Sequence, residues 1–150
     1  MATRKLQNKF LRREIGDSCV CFNLRRAARL VTQKFDKTLR PSGLKANQFS
    51  ILMASYDPEG TLLTKMAKAL GMERTTLTRN LAHLEKLGMV TIRPGHDRRE
   101  RIITITETGA DLLEKALPLW QQAQRDIVDI IGRKKRRELL SGLYEVGRKL

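Results

Sequence analysis

Apolar residues recur at three- and four-residue spacing through residues 14–39. Val20, Leu24, Ala28 (or Ala27), Val31 and Phe35 form one stripe, and Arg25, Arg26, Arg29, Lys34 and Lys37 lie mostly elsewhere. That period predicts a single long amphipathic helix, stopped by Pro41, Ser42 and Gly43. A second helix is predicted from about Lys45 to Ser55, carrying Phe49, Leu52 and Met53 inward, and Asp57-Pro58-Glu59-Gly60 reads as a turn.

The segment TLLTKMAKALGMERTTLTRNLAHLEKLGMVTIRPGHDRRERIITIT (61–106) changes period twice. Thr64 has the chemistry of an N-cap for a short helix that turns Met66, Ala67 and Leu70 inward, and Gly71 marks a sharp turn. After Met72-Glu73 a second helix is expected, with Leu77, Leu81 and Leu84 as its buried stripe and Gly88 as its end. Two helices in such tight succession have the form of a helix-turn-helix. Thr75, Thr76, Thr78 and Arg79 then project from other faces of the second helix. Threonine hydroxyls bond phosphates or base edges, and an arginine fork fits guanine O6 and N7. An exposed polar helix face would show the same pattern.

The period then falls to two. Val90 and Ile92 alternate within residues 89–93, Ile103 and Ile105 alternate within 101–105, and Pro94-Gly95 opens the loop between them, which predicts a β-hairpin. Its tip, His96-Asp97-Arg98-Arg99-Glu100-Arg101, holds three arginines in six residues, and arginine suits the negative potential of a narrow minor groove. From Thr106 the helical period returns. Leu113, Leu117, Trp120, Ile127 and Ile131 follow coiled-coil-like spacing, Pro118 should bend the helix and Gly132 should end it. Arg133 to Arg137 is expected as a solvated turn and helix start, before a last helix carrying Leu139, Leu143, Val146 and Leu150. Both ends of the chain carry more apolar stripe than one small domain requires, which suggests a dimerisation lobe.

Composition narrows the function. The 150 residues include 30 Lys and Arg against 16 Asp and Glu, a net charge of +14. Residues 1–40 contribute +8, residues 41–105 +4 and residues 106–150 +2. A surplus of this size points to a polyanion, nucleic acid ahead of a membrane surface. The longest apolar runs are four residues, far short of the ~20 that span a bilayer, so no membrane partner is expected. The basic residues 1–13 have no apolar signal core, and two cysteines make no disulfide scaffold, which together place the protein in the cytoplasm. His83 and His96 stand apart, with no zinc cluster, phosphate-cradling glycine loop or nucleophile elbow. No catalytic residue, metal or cofactor is therefore expected.

Leu70-Gly71-Met72, then TTLTRNLAHLEKLGMV (75–90), then DRRERIITITETG (97–109), in that order, resemble the MarR family of bacterial winged helix-turn-helix regulators across about residues 20 to 150. The resemblance implies a mainly α protein with a small β-hairpin wing (α+β). The charge and hydrophobic pattern divide the chain into a basic arm (1–13), a helical dimerisation lobe (14–40 and 107–150) and a DNA-binding lobe (41–106). The resemblance further implies a sequence-specific transcriptional regulator, a repressor in the usual case, acting as a homodimer on a pseudo-palindromic site in double-stranded DNA. Thr75, Thr76, Thr78 and Arg79 match the recognition-helix positions. Arg99 matches the wing arginine that enters the minor groove, Asp97 the carboxylate that orients it, and Arg98 and Arg101 the phosphate contacts. The alternative that composition alone supports is a non-specific basic DNA- or RNA-binding architectural protein.

Family members bind small aromatic or anionic effectors, or sense oxidants. Cys21-Phe22 resembles the reactive cysteine and following aromatic of the hydroperoxide-sensing branch, which makes Cys21 the candidate redox sensor, with Arg25 one turn on. The tyrosines that branch places near its thiol are not matched, since Tyr56 and Tyr144 are the only two here. Cys19 and Cys21 point about 200° apart on a helix, which argues against a bridge between them.

Overall fold

The computed structural model describes residues 9–97 and 99–150, with side chains from Arg13 onward. The predicted arm residues 1–8, and Arg98, lie outside the described residues. The chain divides into two compact units with the boundary between Lys34 and Phe35.

In the first unit the predicted single helix is two, α1 (Lys9–Ser18) and α2 (Val20–Leu39). The arm predicted for residues 1–13 accordingly becomes helical at Lys9. The break at Cys19 has local causes. Gly16, Asp17 and Ser18 are weak helix formers, and Ser18 Oγ donates back to the Glu14 carbonyl at 2.7 Å, a contact that bends helices. Asn23 Nδ2 then donates to both Gly16 O and Cys19 O, at 2.9 and 3.0 Å, which stabilises the bend. Val20, Phe22, Leu24, Leu30 and Val31 are exposed on this unit.

The second unit holds the core. α2 ends at buried Leu39 and a 3₁₀ turn (Arg40–Ser42) follows, in which Ser42 Oγ donates to Leu39 O. Helix α3 (Ala46–Ala54) buries Phe49, Ile51 and Leu52. Met53, expected inside, is 48% exposed, and Ile51 takes the core position at 0%. The run Ile51-Leu52-Met53-Ala54 is apolar on every face, so its spacing alone does not set which side faces in.

Strand β1 (Thr61–Leu62) leads directly into α4 (Leu63–Leu70), a strand absent from the sequence prediction. Its pairing leaves Leu62 extended (φ −63°, ψ 134°) as the N-cap of α4, without a side-chain cap. Thr64, predicted for that role, therefore sits inside the first turn and is exposed. At the other end Gly71 adopts φ +60°. Its N–H reaches Lys68 O and the Met72 N–H reaches Ala67 O, the paired bonds of a Schellman turn that few residues other than glycine allow.

Helix α5 (Arg74–Lys86) buries Leu77, Leu81 and Leu84, and its end repeats the same pair of bonds at Gly88 and Met89. Strands β2 (Val90–Pro94) and β3 (Arg101–Ile105) form the predicted hairpin, and β1 adds to its far side in an antiparallel sheet of order β1-β3-β2. Ile92 lies opposite Ile103 and Val90 opposite Ile105, so β-branched pairs fill the inner face. The core joins Leu39, Leu52, Met66, Leu77, Leu81 and Ile103 with Leu113 and Ala116 of α6 (Glu107–Ile131).

Thr106 caps α6, accepting from the Gly109 N–H at 3.1 Å. Trp120 stacks on Phe49 with ring centroids 5.9 Å apart. Helix α6 runs through Pro118 to Ile131, and α7 (Arg133–Lys149) starts directly after Gly132. The turn predicted for Arg133 to Arg137 is thus already helix. No residue of α7 is buried, and Leu139, Leu140, Leu143 and Val146 are exposed.

Candidate nucleic-acid interface

The leucine stripe decides which face of α5 is outward. With Leu77, Leu81 and Leu84 at 1% exposure or less, Arg74, Thr75, Thr76, Thr78 and Arg79 are left in solvent on the first two turns. Thr78 Oγ1 donates to Arg74 O at 2.7 Å, which fixes the hydroxyl proton and leaves its lone pairs outward as acceptors. Arg74, Thr75, Thr78 and Arg79 line a shallow hollow of about 630 Å³.

Arg74 was not among the sequence-predicted contacts. Its signal was its place. A cation in the first turn meets the positive end of the helix dipole, an unfavourable position unless an anion offsets it.

Arg74 and Thr78 also line a deeper cleft of about 530 Å³ that runs to the wing. Leu62, Leu63, Leu81 and Ile92 line it too, together with Arg99, Glu100 and Arg101. Arg74 of α5 and Arg99 and Arg101 of the wing thus line the same cleft. Glu85 of α5 ties the two parts together, its Oε1 accepting from the Ile92 N–H at 3.1 Å. Arg93 braces the other side of the hairpin by donating to Glu59 O at 3.1 Å.

The wing tip is organised around Asp97. Its Oδ1 accepts from the Arg99 backbone N–H at 2.9 Å, and its carbonyl accepts from Glu100 N–H, also at 2.9 Å. Asp97 therefore positions Arg99 through the main chain, as an Asx turn, leaving the guanidinium exposed. Arg101 Nη1 donates to Glu100 O. Arg98 lies outside the described residues.

The two cysteines are in the first unit. Cys21 is exposed on α2, whereas Cys19 is half-buried in the break between α1 and α2 and its Sγ accepts from the Phe22 N–H at 3.4 Å. Among the described residues no group of His, Cys, Asp and Glu is placed to hold a metal ion, and no helix is long and apolar enough to cross a membrane.

Known proteins share this arrangement. A family model described as MarR family matches residues 42–100. The organic hydroperoxide resistance transcriptional regulator of Bacillus subtilis (strain 168) is 30% identical over 115 residues, covering 76% of this chain and 78% of that protein. Among solved structures, the M. tuberculosis transcriptional regulator MosR in complex with DNA is 36% identical with a TM-score of 0.77, covering 87% of this chain and 97% of that one. The transcriptional repressor CouR bound to a 23-mer DNA duplex is 29% identical with a TM-score of 0.75, covering 89% and 94%. These matches join the helix-turn-helix and wing described above to proteins that regulate transcription rather than catalyse reactions, and the chain belongs to the MarR family of winged-helix transcriptional regulators.

Proposed function

We propose that this regulator is a cytoplasmic homodimer that recognises a pseudo-palindromic operator and acts as a repressor, released by a small aromatic or anionic effector or by an oxidant. The observation that carries the DNA part is that Arg74 and Thr78 of α5 line one cleft with Arg99 and Arg101 of the wing, while Arg79 lines the adjoining hollow with Arg74 and Thr78. On this reading Thr75, Thr76, Thr78 and Arg79 meet base edges in a major groove, and Arg99, set by Asp97, enters the adjacent minor groove. Arg74, Arg98 and Arg101 bind phosphates, which place the protein without choosing sequence.

The dimer is supported by apolar side chains left in solvent on helices of each unit, among them Val20 and Leu30 on α2 and Leu139, Leu140 and Leu143 on α7. Two recognition helices related by a two-fold axis require a site with the same symmetry. Selection of bound duplexes from a random library tests this. A two-fold symmetric site, bound about a thousand-fold or more tighter than random duplex at fixed salt, is expected. A ratio near one would make the chain a non-specific architectural protein.

For the oxidant, the support is the exposed Cys21 thiol and the hydroperoxide-resistance name of a relative 30% identical. Peroxide is expected to lower operator affinity of the wild type and to leave Cys21→Ser unaffected in a binding titration. A peroxide response that persists in Cys21→Ser would remove Cys21 as the sensor.

A further inference from the structure

The hydrophobic stripe of α5 settles which face is buried, but apolar contact is non-directional and leaves the helix free to roll by small angles. A base-reading helix needs that angle fixed, because a side chain one ångström out of place loses its bond to a base edge. Between α3 and α5 the structure holds a directional contact of this kind. Asn47 Nδ2, in the first turn of α3, donates to Asn80 Oδ1 of α5 at 3.0 Å across 33 residues of sequence. Asn80 Nδ2 donates in turn to Thr76 O at 2.8 Å.

The two bonds define each other. Thr76 O can only accept, so it holds the amide nitrogen of Asn80 toward α5 and turns Oδ1 to Asn47. The next link lies one residue earlier in α3. The Ala46 N–H donates to Asp36 Oδ1 at 2.8 Å, on the last turn of α2, so adjacent residues of α3 hold the end of α2 on one side and the recognition helix on the other. Asn80 is half-buried, and both of its bonds are within the protein, whereas Thr75, Thr76 and Arg79 beside it are exposed.

We infer that Asn47 and Asn80 are a positioning pair that sets the roll of the recognition helix, and so determines operator specificity without either residue reading a base. The inference rests on α5 being the base-reading helix. Phosphate contacts, being long-range and tolerant of small rotations, do not depend on the pair.

A double-mutant cycle on a selected operator and a random duplex, at one salt concentration, tests it. Asn47→Ala and Asn80→Ala are each expected to reduce the ratio of operator to random-duplex affinity about five-fold, with random-duplex affinity unchanged and the melting temperature lowered by no more than a few degrees. The double variant is expected to be no worse than either single one, because both remove the same bond. Asn47→Gln, which keeps an amide donor on a longer arm, is expected to recover part of the ratio. Additive losses in the double variant would show that Asn47 or Asn80 contacts DNA itself, and an unchanged ratio in Asn47→Ala would show that the bond sets nothing; either overturns the inference. Should Asn80→Ala fail to fold, the exposed Asn47→Ala and Asn47→Gln pair still decides it, since equal ratios in the two would leave no role for the amide. Arg79→Ala in the same titration separates the two levels. If it also leaves the operator preference intact, α5 is not the reading helix and the proposed function fails first.

Discussion

Replacing Gly109 by alanine is expected to lower the melting temperature by about 10 °C. A Cβ at that position would lie 2.1 Å from the carbonyl oxygen of Met89, 3.0 Å from its carbonyl carbon and 2.9 Å from Ile105 Cγ1. The obstacle is mostly backbone, and it has no room to retreat. Met89 is anchored on both sides, its N–H on Leu84 O and its carbonyl accepting from Thr106 N–H. Thr106 is itself held, its Oγ1 donating to Gly88 O at 2.6 Å while accepting from Gly109 N–H. The first turn of α6 is thus pressed onto the chain leaving the recognition helix, with only a hydrogen atom's width for a side chain.

Overpacking of this kind costs about 3 kcal/mol where neighbours cannot shift. For a chain of this size each kcal/mol moves the midpoint by roughly 2–4 °C. Gly142, in the middle of α7, is the control. Nothing lies within 4 Å of its missing Cβ, so Gly142→Ala is expected to hold or raise the midpoint, since alanine is favoured over glycine in a helix interior by about 1 kcal/mol. Thermal unfolding followed by circular dichroism reads both. Equal midpoints for Gly109→Ala and wild type would contradict the close approach of α6 to Met89.

That contact also shows why parts of the fold were legible in the sequence and others were not. Leu77, Leu81 and Leu84 lie on one helical stripe, Val90 and Ile92 alternate, and burial follows those periods directly because each element has one buried and one solvated face. Strand β1 has two residues and hence no period. It exists because Thr61 and Leu62 pair with Ile103 and Ile102, partners forty residues away. The same pairing moved the N-cap of α4 from Thr64 to Leu62, since an extended Leu62 already supplies the helix entry. In α3 the core choice between Ile51 and Met53 was made by tertiary packing, which buries Ile51 and leaves Met53 exposed, not by spacing within nine residues.

The candidate site divides in the same way. Thr75, Thr76, Thr78 and Arg79 are legible because the leucine stripe leaves them outward, a purely local relation. The role of Asp97 depended on turn geometry. The carboxylate serves the Arg99 main chain, and a motif of residue types does not distinguish that from a pairing with the guanidinium. Arg74 carried only the weak signal of a cation in a first helical turn, and its membership of both hollows is what singles it out.

Arg79 and Arg99 are expected to be separable in function. Each substitution to alanine should weaken operator binding by about 1–3 kcal/mol, roughly 5- to 150-fold in affinity. Arg79 is exposed on the second turn of α5, beside Thr75 and Thr78, where a major-groove base edge would meet it. Losing it removes hydrogen bonds that the correct base makes and wrong bases do not, so the variant should bind operator mutants at the contacted position as well as the operator itself. Arg99 stands on the wing, with its backbone held by Asp97 and its guanidinium in solvent. A minor groove presents much the same acceptors for either orientation of an A·T pair, so Arg99→Ala should weaken operator and major-groove mutants together and leave their ranking intact. Titration of both variants across a panel of operator mutants reads the difference. Wild-type affinity from both would remove this surface as the DNA interface, and a flattened ranking from Arg99→Ala would move base reading from the recognition helix to the wing.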